Sequence, residues 1–230
     1  MMIFETNKLS VQAVIFDMDG TLIDSIETYY RIVEIALERL KMPQVSRRKI
    51  LDAAEDGDFN WEVVLPGEVL NNKDEIIAAA WEIIAEIAPR MFAENIKLIR
   101  GADHILQTIS KGTPRIGLVT STPQRDLKMK MEPLKSAGVD NLLEVIITSD
   151  DVEKRKPAPD PLLACARKFR VQSSKCVYVG DTRIDIKAGK AAGMKTVGVL
   201  TGFDDYDMLA NEGPDAIIDS IGNLVEVIEV

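Results

Sequence analysis

The chain has a single histidine, His104, and only two cysteines, Cys165 and Cys176, in 230 residues. One histidine all but excludes a Ser-His or Cys-His nucleophile, because each needs an imidazole beside the attacking group. Cys165 falls in an expected helix and Cys176 opens an expected strand, so both read as buried, reduced thiols. No apolar run approaches the length of a membrane span, and the first residues lack a basic segment followed by a signal-type apolar core. The expected location is the cytoplasm. There is also no lysine or arginine stripe, and the formal net charge is −9, so neither nucleic acid nor anionic membrane is an expected partner. An acidic protein that binds an anion must draw positive charge from a metal and a few placed basic side chains.

What is present is a globular composition, 46% hydrophobic and 28% charged, with length enough for a sizeable core and a smaller second unit. The rest of the chain is arranged around residues 11–25, VQAVIFDMDGTLIDS. Val11 to Phe16 reads as a buried strand that stops at Asp17. Asp17 and Asp19 are two apart, so with extended backbone their side chains share one direction, and Gly20 permits a sharp turn. Two carboxylates crowded together repel, and the usual remedies are a bound cation or a retained proton. Mg²⁺ suits the first remedy, since it takes hard oxygen ligands. An ordinary acidic turn is the competing reading of this tetrapeptide taken alone.

After Ser25 the pattern is helical. Ile32, Ile35, Ala36, Leu37 and Leu40 form an apolar stripe closed by Pro43, Ser46 is placed to cap a second helix, and Asp74 to Phe92 makes a third. Gly57, Pro66 and Gly67 mark loops between them. Residues 26–95 are thus an expected all-helical insertion. From Arg100 onward, helices alternate with strands at Arg115 to Thr120, Leu143 to Thr148, Cys176 to Gly180, Thr196 to Leu200 and Ala216 to Ile218. That alternation predicts an α/β fold with a doubly wound parallel sheet, whose ligands bind beyond the carboxyl ends of the strands.

Those ends carry Asp17 and Asp19, Thr120 and Ser121, Asp150 and Asp151, then Asp181, with Asp185 four residues further on. Lys156 follows the Asp150 loop, in KPAPD. The set suits phosphoryl transfer, in which cations, amides and hydroxyls stabilise charge spread over three equatorial oxygens. A carboxylate needs no general base at neutral pH to act as nucleophile, and Asp17, first off the strand, is the candidate. Asp19 is placed to protonate the leaving oxygen and then take a proton from water, a role that crowding by other carboxylates would favour.

Four blocks, DMDGT at 17–21, strand-final Thr120, Lys156 before proline, and GDTRID at 180–185, together resemble the haloacid dehalogenase-like superfamily. The resemblance covers residues 11–25 and 96–220. It implies a Rossmann-like core, residues 1–25 and 96–230, with a helical cap at 26–95. It implies Asp17 as nucleophile, Asp19 as acid/base, phosphate contacts from Thr120, Ser121 and Lys156, and Mg²⁺ held by Asp17, the Asp19 backbone carbonyl and Asp181, with Asp185 in support. DGTLIDS and the TGFDD and GPDAIIDS segments are most similar to the phosphoglycolate phosphatase and β-phosphoglucomutase branch. The implied activity is Mg²⁺-dependent hydrolysis of a small phosphorylated metabolite through an aspartyl-phosphate.

Mutase-like members carry a histidine in the first cap helix, where this chain has Tyr29 and Tyr30, which favours a hydrolase. The superfamily's dehalogenases lack the second aspartate, here Asp19. A phospho-acceptor without turnover is the rival from another class, yet it needs neither Asp19 nor a helical insertion. Arg47, Arg48 and Lys49 read as a solvated helix face ahead of a grip on a substrate carboxylate or second phosphate, Tyr29 and Tyr30 as core ahead of pocket lining, Trp61 and Trp81 as cap core, and His104 as packing on the core helix. Asp56, Asp58, Asp204, Asp205 and Asp207 read as solvated turn or helix-start residues, and Thr21 as a support of the turn.

Overall fold

A computed structural model describes residues 8–54 and 59–230. Asp56 and Asp58 lie outside the described residues. Chain contacts divide the protein into two compact units, Met1–Asp24 with Lys97–Val230, and Ser25–Ile96.

The first unit is built on strands β1 (Ala13–Phe16), β2 (Ile23–Asp24), β3 (Lys97–Leu98), β4 (Arg115–Val119), β5 (Val145–Ile147), β6 (Cys176–Gly180), β7 (Lys195–Val199) and β8 (Ala216–Ile218). Six of them form one sheet in the order β5-β4-β1-β6-β7-β8, with every pairing parallel. The expected doubly wound α/β fold is borne out. Parallel strands covered on both faces must be apolar throughout, and β1 and β6 are buried at every position. On one face Ala13 and Ile15 join Leu162, Cys165, Ala166 and Phe169 of helix Asp160–Phe169 in a continuous core. By alternation Val14 and Phe16 point to the opposite face.

The register positions the site. Phe16 pairs with Leu118 on one side and Val179 on the other, and the Asp17 amide continues the ladder to the Val179 carbonyl at 2.8 Å. The residues that follow β1, β4 and β6 therefore emerge side by side at the sheet's centre, where the winding reverses direction.

Several expected elements end earlier than read. Thr120 lies one residue beyond β4, and where the alternation predicts one helix between β4 and β5, there are two short ones, Gln124–Lys130 and Glu132–Ser136. Pro133, at the start of the second, lacks the amide that would continue the first. The β2–β3 pair is an antiparallel ribbon that the apolar pattern did not foretell.

The second unit contains helices Ile26–Arg39, Arg47–Ala53, Trp61–Val64 and Lys73–Asn95, with a 3₁₀ turn at Gly67–Asn72. Among the described residues it holds no strand. Ser46 caps the second helix, its hydroxyl accepting from the Lys49 amide at 3.3 Å. Tyr30 is buried, with the Arg47 guanidinium 4.9 Å from its ring centre, while Arg47 ion-pairs with Glu27 at the surface. Trp61 is fully buried and meets Phe59 edge-to-face. Trp81 departs from expectation: it packs edge-on against Trp61 at 6.0 Å yet remains 45% exposed, as the partly covered rim of that aromatic cluster.

Candidate active site

Asp17, Asp181 and Asp185 are buried together, each offering a carboxylate oxygen within 4.8 Å of the others. Three carboxylates in so small a dry space would not persist without compensation. Lys156 supplies part of it, its Nζ lying 2.9 Å from Asp17 Oδ1 and 2.7 Å from Asp185 Oδ1. One lysine against three carboxylates still leaves excess negative charge.

Each acid has a separate structural tether. Asp17 continues β1. Asp181 follows β6 and accepts from the Phe203 amide at 2.9 Å and the Thr21 hydroxyl at 3.2 Å, so Thr21 braces a site carboxylate as well as its own turn. Asp185 belongs to the first turn of helix Arg183–Ala191, where Thr182 is the N-cap and the two form a reciprocal capping box. The Asp185 carboxylate thereby accepts from the Thr182 hydroxyl at 2.6 Å on one oxygen and from Lys156 on the other. Helix start and site share one side chain.

Glycine makes this density possible. Gly20 has φ of +75°, and a Cβ there would collide with the Asp181 carboxylate. A Cβ at Gly202 would collide with the same group. The backbone closes around Asp181 because neither position carries a side chain.

Burial dominates the electrostatics. It pushes the Asp17 carboxyl up to about 7, with Lys156 pulling the other way and Asp185 adding to the rise. Asp181 is also raised well above the usual carboxylate range, first by burial and then by Asp185 and Asp17. For Lys156 burial alone would lower the value, but Asp17 and Asp185 outweigh it and hold the ammonium charged. A group of buried oxygen donors with surplus negative charge fits a hard divalent cation such as Mg²⁺.

Asp19 is elsewhere. Its carboxylate lies outside this group of three and is gripped by Lys130, whose Nζ is 2.8 Å from both oxygens, with the Thr122 hydroxyl at 3.2 Å from Oδ2. Its charge adds in turn to the rise at Asp17. The ladder runs on to Asp17 and the chain turns after Met18, whose carbonyl accepts from the amides of Leu22 and Ile23.

Thr120 and Ser121 line a small cavity with Thr148, Ser149 and Lys156. Thr120 is buried and its hydroxyl accepts from the Thr122 amide at 3.0 Å, whereas Ser121 is exposed. Lys156 therefore joins the hydroxyl side of the site to the carboxylate side.

Other strand-end acids serve structure. Asp150 caps helix Gln124–Lys130 by accepting from the Gln124 amide at 2.8 Å, and Asp151 forms a capping box with Thr148. Asp204 is a correction: expected in solvent, it is buried, where it accepts from the Arg183 amide at 2.6 Å and ion-pairs with that arginine. Asp205 does start a helix, capping Tyr206–Asn211. His104 is a second correction, since it sits on the outer, exposed face of helix Ala102–Ser110. Both cysteines are buried free thiols, pushed up by burial to about 12 for Cys165 and about 11 for Cys176.

Sequence reading missed Lys130, Thr122 and Tyr178. Tyr178, buried in β6, places its hydroxyl 3.1 Å from both Lys156 Nζ and Asp185 Oδ1, and 3.2 Å from the Val119 carbonyl. Its place in CVYVG marks it as core, and only the fold shows that its hydroxyl reaches the site. Lys130 reaches Asp19 across 111 residues of sequence, with no local signal.

A family model described as haloacid dehalogenase-like hydrolase matches residues 14–199. The chain belongs to that family. It is 30% identical to the phosphoglycolate phosphatase of Escherichia coli (strain K12), over 94% of this chain and 91% of that protein. Among solved structures, a predicted phosphoglycolate phosphatase from Haemophilus somnus 129PT matches with a TM-score of 0.82 at 20% identity, covering 95% of this chain and 98% of that one. A hydrolase from Pseudomonas syringae matches with a TM-score of 0.75 at 26% identity, over 95% of this chain and all of its own (100%). The first of these structures supports the fold, and the E. coli relative carries the likeness through most of the sequence.

Proposed function

We propose that the protein is a phosphatase that hydrolyses a small phosphorylated metabolite through an aspartyl-phosphate on Asp17, with Asp19 as acid and base. The observation that carries this reading is the buried lysine bridge, Lys156 between Asp17 and Asp185, at the carboxyl ends of the central strands. Asp17 attacks phosphorus while the bond to the leaving oxygen breaks, and Asp19 gives that oxygen its proton. In the second step Asp19 takes a proton from water, the resulting hydroxide attacks the same phosphorus, and the phosphorus–Asp17 bond breaks to release inorganic phosphate. Lys156 and the Thr120 and Ser121 hydroxyls orient the phosphoryl oxygens. Bound Mg²⁺, held by Asp17 and Asp181 with Asp185 behind them, would neutralise charge on the phosphoryl group and on Asp17.

The helical unit Ser25–Ile96 is, in this reading, the cap that selects the substrate. It is inserted between β2 and β3, so both chain crossings leave from one two-stranded ribbon. The likeness to the E. coli enzyme makes 2-phosphoglycolate the first substrate to try, followed by sugar phosphates. Phosphate release from such a panel, with Mg²⁺ or EDTA, tests the reading on wild type, Asp17→Asn and Asp19→Asn. Metal-dependent turnover that falls at least about a hundredfold in both variants is expected. Turnover that persists in EDTA, or in Asp17→Asn, contradicts it.

A further inference from the structure

Lys130 is the one lysine in the described residues that clasps both oxygens of Asp19, and no sequence motif accounts for it. It stands at the last position of helix Gln124–Lys130, directly after β4 and its hydroxyl pair. Its side chain is only 14% exposed and that of Asp19 23%, so this pair is drawn well out of solvent. A lysine serving solubility alone would keep its ammonium in water. The Thr122 hydroxyl holds Asp19 Oδ2 as well, so that oxygen has two partners and Oδ1 has the ammonium.

We propose that Lys130 is a positioning residue for Asp19, fixing the carboxyl in the orientation from which it passes a proton to the leaving oxygen and recovers one from water. The inference rests on the reading of Asp19 as acid and base given above. Proton transfer depends on geometry before anything else, and a free aspartate on a turn would sample several rotamers. A two-oxygen grip from a helix end removes that freedom. The helix is in turn anchored at its other end, where Asp150 accepts from the Gln124 amide, so the strand-end loop and the acid are braced as one piece.

The test compares two substrates in single-turnover rapid-quench experiments: 2-phosphoglycolate, whose alkoxide leaving group needs a proton, and p-nitrophenyl phosphate, whose leaving group departs without one. For Lys130→Met, phosphorylation by 2-phosphoglycolate is expected to slow by about 10- to 100-fold while KM changes by less than about threefold. Phosphorylation by p-nitrophenyl phosphate is expected to stay within about threefold of wild type, and Lys130→Arg to restore most of the 2-phosphoglycolate rate. Melting temperatures of all variants are measured alongside. Equal loss on both substrates, no loss on either, a rate increase, or a folded Lys130→Arg as slow on 2-phosphoglycolate as Lys130→Met overturns the proposal. Asp19→Asn separates the two layers of argument. If it retains full 2-phosphoglycolate turnover the acid/base reading fails, whereas an inactive Asp19→Asn beside a fully active Lys130→Met defeats only the role of Lys130.

Discussion

At the residue scale, the site is a charge imbalance held in place by burial. Asp17 sits at about 7 when no cation is present, against an ordinary 3.8, so the fold favours its protonated form. The linkage has a definite sign: this group's contribution to stability is present below about pH 4 and is lost as pH rises through about 7. Asp181, also raised, acts in the same direction. A divalent cation binds the ionised form and reverses that loss. Melting temperature measured with EDTA or Mg²⁺ should therefore show a larger Mg²⁺ gain at pH 8 than at pH 5, and an equal gain at both would mean that Asp17 and Asp181 do not hold the ion. Much of this was legible in single residues, because Lys156 precedes a proline, Asp181 follows a glycine, Asp17 ends an apolar strand, and Asp185 lies four residues beyond Asp181. Lys130 was not, since an ion pair that spans 111 residues leaves no trace in local spacing.

At the scale of the element, one side chain serves both a helix cap and the carboxylate cluster. Asp185 closes the capping box of helix Arg183–Ala191 and faces Lys156, so a change in the cap is transmitted to the site. Thr182→Ala should cost about 1 kcal/mol, which in a protein of this size lowers the melting temperature by about 2–4 °C. It should also reduce turnover, because Asp185 loses the hydroxyl at 2.6 Å that fixes one of its oxygens. Asp205→Ala removes an equivalent cap from helix Tyr206–Asn211, where the acid accepts from the Met208 amide at 2.9 Å, and should cost similar stability with turnover unchanged. Equal turnover in the two variants would show that the capping box does not hold Asp185 for catalysis. Element types could be read from periodicity, but their ends could not. Thr120 falls outside β4 and Pro133 splits an expected helix, both settled by backbone hydrogen bonds rather than by apolar pattern. Asp204 misled for a related reason: an aspartate in a run of acids looks solvated until the Arg183 amide is found against it.

At the scale of the whole molecule, the parallel sheet does the assembling. Strands β1, β4 and β6 are adjacent in space though far apart in sequence, and their registered ends bring Asp17, Thr120 and Asp181 to one edge. That convergence was legible because helix–strand alternation limits the topology to a few windings and fixes where ligands bind. The second unit was legible as helical from its apolar stripes, but its chemistry was not, since surface pairs such as Arg47 with Glu27 leave no fixed pattern in the sequence. The central claim, that Asp17 is the nucleophile, is tested most directly by acid-quenching the enzyme during turnover of 2-phosphoglycolate and mapping the phosphoryl group by peptide mass spectrometry. The account predicts a transient phosphoryl group on Asp17 that forms and decays within the turnover time, and that is missing in Asp17→Asn. A phosphoryl group on another residue, or full turnover with none on the protein, would contradict it.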